Sequence, residues 1–259
     1  MAGDRVTLRG AGEVGRSPPH QASLPERDNQ AVPFHYNFAM RRRPTRELLD
    51  TDSGSSSEVA ASLKDLRWFN RWFGGISTTH RLFETAANGA PNLSVLEVAA
   101  GDGFIPRTLQ RRFPQLDITL LDRVPSHLPA KNATRAVAAD ALALPFPDSS
   151  FDIVSSSLFV HHLQPEQVVL FARESLRVCR VAMLIHDLVR HPLHLAFAYA
   201  GLPLYRSRIT RNDAPASVRQ AYTVAEMRSL LEKAGAALVN INQQYFFRMG
   251  AIAWKEHRS

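Results

Sequence analysis

The stretch from Leu93 to Phe113 constrains this chain more than any other, because it reads as a buried strand, a bend of small residues and a helix in immediate succession. Leu93–Ala99 is an apolar run of strand length, Ala99-Ala100-Gly101-Asp102-Gly103 breaks it, and Ile105–Phe113 has helical spacing. The alternation then repeats. Strands are expected at Asp117–Leu121, Thr134–Ala139, Phe151–Ser156 and Arg180–His186, with helices at Glu166–Val178 and Val224–Ala234, the latter opened by Thr223 and stopped by Gly235. Strands joined through helices run parallel, whereas Ala237–Asn242 and Tyr245–Trp254, separated by a short polar turn, must pair antiparallel. The expected fold is α/β: a doubly wound, mostly parallel seven-stranded sheet with a terminal antiparallel hairpin.

A chain of 259 residues with 45% hydrophobic content suits one such domain with additions. Residues 1–39 are expected to be a disordered tail, since Met1 to Val32 is rich in Gly, Pro, Ser and Arg without a hydrophobic period. Met40 offers an alternative start of translation, so a chain beginning there is expected to keep its stability and activity. Residues 40–90 form a helical cap, with Leu63, Leu66, Phe69, Phe73 and Leu82 near helical spacing and Gly74-Gly75 as a break. The aromatic group Trp68, Phe69, Trp72 and Phe73 reads as packing or as a flap over a pocket. Residues 91–259 are the main domain, in which 192–222 is a long insertion: an apolar helix followed by a basic loop, read as a lid.

The bend carries the chemistry. Val95-Leu96-Glu97-Val98-Ala99-Ala100-Gly101-Asp102-Gly103-Phe104-Ile105 resembles the first motif of class I S-adenosylmethionine-dependent methyltransferases, an acidic residue followed by a glycine-rich turn. Small residues there let backbone approach a ligand closely. Ala99 replaces that motif's first glycine and is compatible with close approach if its φ is negative. Asp122 ends the second strand, where a carboxylate accepts hydrogen bonds from ribose hydroxyls, and Arg123 flanks the adenine. Asp140-Ala141 comes directly after the third strand. The resemblance covers Leu93 to about Asp187. It implies that S-adenosylmethionine is the cofactor, with Glu97 at its amino-acid end, Asp140 on the adenine amino group, and Ala99, Gly101, Gly103, Ala141 and Ser156 lining the site.

The segment after the fourth strand narrows the acceptor. Ser155-Ser156-Ser157-Leu158-Phe159-Val160-His161-His162-Leu163 lacks the Asn/Asp-Pro-Pro-aromatic motif of DNA amino-group methylation, so no nucleic acid is expected. No acidic set matches the magnesium site of catechol-type enzymes, so no metal is expected either. His161-His162-Leu163 is similar to the His-His-Leu stretch of small-molecule methyltransferases of the ubiquinone and menaquinone type, and His161, His162 or Asp187 could take a proton from a phenol. A structural role for the histidines at a helix start stays open, as does Arg190 holding an anionic group. The chain as a whole resembles methyltransferases associated with type III polyketide pathways, which implies a phenolic or quinone-like lipid acceptor.

The formal net charge of +7 is concentrated in the body: the first 58 residues balance, while Tyr205–Ser259 holds nine Lys/Arg against four Asp/Glu. That surface keeps a protein- or RNA-directed methyltransferase in view, but no aromatic interleaving accompanies the arginines. A non-catalytic cofactor-binding protein and an NAD-dependent oxidoreductase are the other rivals; the latter needs neither Glu97 nor the closing hairpin. The single cysteine, Cys179, and the absence of a membrane span or leader point to the cytoplasm, with at most transient contact at a lipid surface. Oligomeric state is not legible in the sequence.

Overall fold

The expected alternation folds into a sheet whose strand order is β3-β2-β1-β4-β5-β7-β6. The computed structural model describes residues 40–49, 54–90, 92–129 and 135–256, so the N-terminal tail lies outside the described residues. The strands are β1 Ser94–Val98, β2 Asp117–Asp122, β3 Arg135–Ala138, β4 Phe151–Ser157, β5 Cys179–Leu188, β6 Leu238–Gln244 and β7 Arg248–Trp254. β1 runs parallel to β2 and β4, and β5 runs parallel to β4. β7 enters antiparallel between β5 and β6, as the short final connection requires.

Alternation along the strands decides which side chains meet which helices. Leu96, Val98, Val154, Met183 and Ile185 face α4 (Pro165–Val178) and α7 (Val224–Ala234). Val95, Leu120, Ile153 and Leu184 face the opposite way, onto α2 (Gly75–Ala87) and α3 (Phe104–Arg112). Glu97, Ser155 and His186 share the second parity, Ser156 and Asp187 the first.

The cap begins with α1 (Ser56–Trp72), opened by a capping box in which Ser55 and Glu58 satisfy each other's backbone amides. Gly74 then adopts φ +80, ending α1 and starting α2, as the glycine pair predicts. The insertion departs from expectation. Its apolar helix is present as α5 (Pro192–Ala200), but the basic segment expected as a loop is a second helix, α6 (Arg208–Gln220). Pro215 sits inside it and disguises it in sequence. Tertiary bonds hold it: buried Asp65 of α1 accepts from the amides of Arg206 and Ser207 at 2.8 and 3.3 Å, and the Ser207 hydroxyl caps Ile209.

Candidate active site

The small-residue bend leaves β1 in a left-handed conformation. Ala99, Gly101 and Gly103 have φ of +56, +53 and +71. The expectation that Ala99 would keep a negative φ is thus corrected. The Ala100 amide donates to Leu121 O at 3.0 Å and the Gly101 amide donates to Asp122 Oδ2 at 3.0 Å, and meeting both forces the chain through positive φ at a residue with a Cβ. Such a conformation costs about 1–2 kcal/mol for a non-glycine residue. A Cβ on Gly101 would meet nothing within 4 Å, so the space before the bend is open.

Around this opening the sequence-predicted residues divide. Glu97 is buried, and burial pushes its carboxyl up to about 7, with Ser155 and Ser157 partly offsetting the desolvation. Asp122 is buried at the end of β2 and also accepts the Val124 amide at 3.0 Å, so its two oxygens shape the bend and the turn after β2 together. Arg123 is exposed, and so is Asp140, whose Oδ1 accepts the Leu142 amide at 2.9 Å; Ala141 is buried. On the other face of β4, the buried hydroxyl of Ser156 has no partner among the described residues.

Beyond β4, Val160–His162 is a short 3-10 turn that precedes α4, whose start is capped by Gln164. Asp187 holds this turn from β5: Oδ2 accepts the His161 amide at 3.1 Å, and Oδ1 stands 2.6 Å from Nδ1 of the ring. On the other side of that ring, Nε2 lies 3.6 Å from Glu47 Oε1. Burial alone would lower the His161 pKa, but Asp187 and then Glu47 outweigh it and raise it to about 10. The same coupling holds Asp187 below the usual carboxylate range despite its burial. The pairing thus favours the protonated form of His161 and the ionised form of Asp187, with Asp187 as the anchor of the ring. His162 is half-buried with its ring 4.1 Å from that of His161.

Glu47, His161 and His162 present ligand atoms within 4.8 Å of one another, a donor set of the kind that holds a divalent cation. The Glu47 carboxylate is already engaged, accepting from Ser217 Oγ at 2.5 Å and Gln220 Nε2 at 2.6 Å. The arrangement is complete as a hydrogen-bonded ion cluster.

Sequence reasoning missed Glu47 and its neighbour Arg42. Arg42 donates to the carbonyls of Gln220, His161 and Leu163 and stacks on Tyr222, tying residues 40–49 across α6 and the histidine turn. These pairs are more than a hundred residues apart, and no local signal announces them. Arg190, expected to hold an anionic group, is instead buried and spent on Met40 O, Ala221 O and Glu226. Its neighbour His191 caps α5 through the Leu193 amide. Asp102, inside the bend, pairs with Arg67 of α1, so cap and bend touch.

Known proteins share parts of this sequence and this architecture. The profile of a methyltransferase domain family matches residues 96–182. The malonyl-[acyl-carrier protein] O-methyltransferase of Halorhodospira halophila is 38% identical over 71 residues, which are 25% of this chain and 24% of that protein. The match thus spans about a quarter of that curated relative's length. Among solved structures, plantazolicin methyltransferase BpumL in complex with SAH is similar with a TM-score of 0.61 and 14% identity, covering 82% of this chain and 95% of that one. The methyltransferase SibL gives 0.59 and 19%, covering 83% and 63%, and the CMeT domain of the citrinin polyketide synthase gives 0.53 and 15%, covering 71% and 52%.

Proposed function

We propose, from the premise that this chain belongs to the class I S-adenosylmethionine-dependent methyltransferases, that it transfers a methyl group from S-adenosylmethionine to a small molecule, a phenolic or quinone-like acceptor of polyketide or lipid type. The observation that carries this reading is the pairing, at adjacent strand ends, of buried Glu97 and Asp122 on either side of a bend whose Gly101 faces open space. The residues present fit the cofactor. Glu97 would receive its amino group, Asp122 its ribose hydroxyls, Asp140 its adenine edge, and the unpartnered Ser156 hydroxyl remains for a ligand atom. When bound, S-adenosylmethionine supplies a methyl group on a positively charged sulfur.

The chain's own residues do the rest. In-line displacement needs positioning and exclusion of water more than covalent machinery. The cap and α6 would close over the acceptor. His161, with its two ring nitrogens turned to Asp187 and Glu47, fixes the turn that carries His162, and we assign His162 as the proton acceptor. A natural-product methyltransferase and a polyketide synthase methylation domain among the similar structures support a small acceptor over a macromolecule. So does the arginine surface, because Arg206 pairs with Asp65, Arg208 with Glu58, and Arg219 with Tyr199.

Calorimetry with S-adenosylmethionine, S-adenosylhomocysteine and NAD, followed by labelled methyl transfer to an alkylresorcinol, tests the proposal. Binding of the first two ligands and label in the phenol are expected. Binding of NAD alone, uptake of cofactor without turnover on any phenol or quinone, or label only in protein or RNA would each overturn it.

A further inference from the structure

The described surface exposes ten large apolar side chains, and all but Leu170 and Leu238 lie on α1, on α5 with the turn after it, or on the β6–β7 turn. They include Trp72 at 65% exposure, Phe197 at 58%, Leu204 at 74% and Tyr245 at 62%. Ring contacts join the three elements. Trp68 packs on Phe73 at 5.3 Å, Phe73 on Phe246 at 5.4 Å, Tyr245 on Phe246 at 5.9 Å, and Phe197 on Phe247 at 6.2 Å. Gly74 makes room for this, since a Cβ there would stand 2.8 Å from that of Tyr245. A connected apolar patch of this kind marks an interaction surface.

Its position and charge identify the occupant. β7 runs antiparallel to β5 with Arg248 opposite Leu188, so the β6–β7 turn stands at the carboxyl end of β5, beside Asp187. The patch therefore rims the mouth of the candidate site. On α1, Lys64, Trp68, Arg71 and Trp72 recur at helical spacing and all are exposed, while Ser62, Asp65 and Asn70 are buried. Exposed tryptophans flanked by Lys64 and Arg71 suit the headgroup level of an anionic bilayer, where indole rings settle at the interface and basic side chains meet anionic lipid. A twofold dimer through this face would gather Lys64 and Arg71 of both copies into one interface, four like charges in a shared patch. No helix among the described residues is long and apolar enough to cross a membrane, so contact here is with one leaflet.

We propose that this aromatic rim is a docking surface for an anionic lipid bilayer, holding the site mouth against the membrane. Docking rests on the surface alone; its use, delivery of a lipidic acceptor to the pocket, rests on the function proposed above. The tryptophans provide the readout, because Trp68 and Trp72 lie in the patch while the third, Trp254, is buried. The full chain is titrated with phosphatidylcholine vesicles, with and without phosphatidylglycerol, and emission is followed with brominated lipids as quenchers. A blue shift and quenching are expected, several-fold stronger with phosphatidylglycerol and weakened by salt. Trp72→Ser combined with Phe197→Ser should reduce partitioning at least about tenfold, with an unchanged melting temperature and an unchanged shift on adding S-adenosylhomocysteine. Emission indifferent to vesicles, equal binding to both compositions, or a dimer in sedimentation that already shields the tryptophans would overturn it. Vesicle binding without methyl transfer to any lipidic phenol would keep the docking and remove the acceptor reading.

Discussion

Glu97 is the most informative residue to perturb, because its burial makes cofactor binding and stability depend on pH in opposite ways. The folded chain holds its carboxyl at about 7 against an ordinary 4.5, chiefly by desolvation. Its contribution to stability is intact below pH 4.5, where folded and unfolded chains are both protonated, and is lost as pH rises through about 7. The full gap is worth ~3 kcal/mol at ~1.4 kcal/mol per pH unit, of which roughly 1.4 is already present at about pH 5.5. Glu97→Gln, which cannot ionise, should therefore gain on the wild type by ~2 kcal/mol between about pH 5.5 and about pH 8.5, or ~4–8 °C in melting temperature for a chain of this size. The cofactor moves the other way. If only ionised Glu97 receives the ligand's amino group, wild-type affinity for S-adenosylhomocysteine should fall about tenfold between pH 8 and pH 6, and the substitution should abolish most of the ligand-induced thermal shift. Thermal melts across this range with and without ligand check both arms. A stability difference between variant and wild type that does not change with pH would refute the burial argument, and a flat affinity would refute the assigned contact.

Two further substitutions probe the bend and the ion cluster. Ala99→Gly should stabilise the chain by about 1 kcal/mol in chemical denaturation, because glycine adopts positive φ without the Cβ penalty that outweighs its greater unfolded entropy; a loss of stability would show that the methyl group packs usefully. Asp187→Asn should destabilise by ~3–5 kcal/mol near neutral pH, since it strips a buried imidazolium of its closer partner. In the wild type the His161 contribution is complete below about 6.5 and fades as pH rises through about 10, so stability should decline over that window and the variant should show a shallower decline; identical pH profiles would count against the pairing.

The sheet is legible in the sequence because it depends on local signals. Apolar runs, the small-residue bend and the short closing turn each act over a few residues, and the observed order β3-β2-β1-β4-β5-β7-β6 is consistent with all of them. The features that escape depend on distance or on competition. Asp187 is one residue type at a strand end, and nothing near it tells that it anchors the His161 turn. Glu47 sits in a polar segment and acquires its role only from Ser217, Gln220 and His161. Helix α6 is hidden because Pro215 argues against a helix locally while Asp65, far away in sequence, secures its start. The pattern of the final strand predicts a start at Tyr245, but Phe246 and Phe247 take φ of +41 and +63, which ends β6 in a turn and delays β7 to Arg248.

The same long-range contacts explain how cap and pocket act together. Helix α1 faces three ways. Its buried Asp65 grips the start of α6, its outer face carries Trp68 and Trp72, and Arg67 reaches Asp102 in the bend. These links are unequal. The Asp65 carboxylate is buried, accepts the amides of Arg206 and Ser207 and pairs with Arg206, so separating α1 from α6 would exchange these charge-assisted bonds for bonds to water, a loss of roughly 1.5–3 kcal/mol for each bond given up. Arg67 and Asp102 are both substantially solvated, and an ion pair in that setting contributes at most about 1 kcal/mol. Helix α1 is thus held more firmly to the start of α6 than to the bend. Docking the aromatic face on a surface would load α1 and reach the bend through Arg67, which pairs with Asp102 and lies over the Phe104 ring.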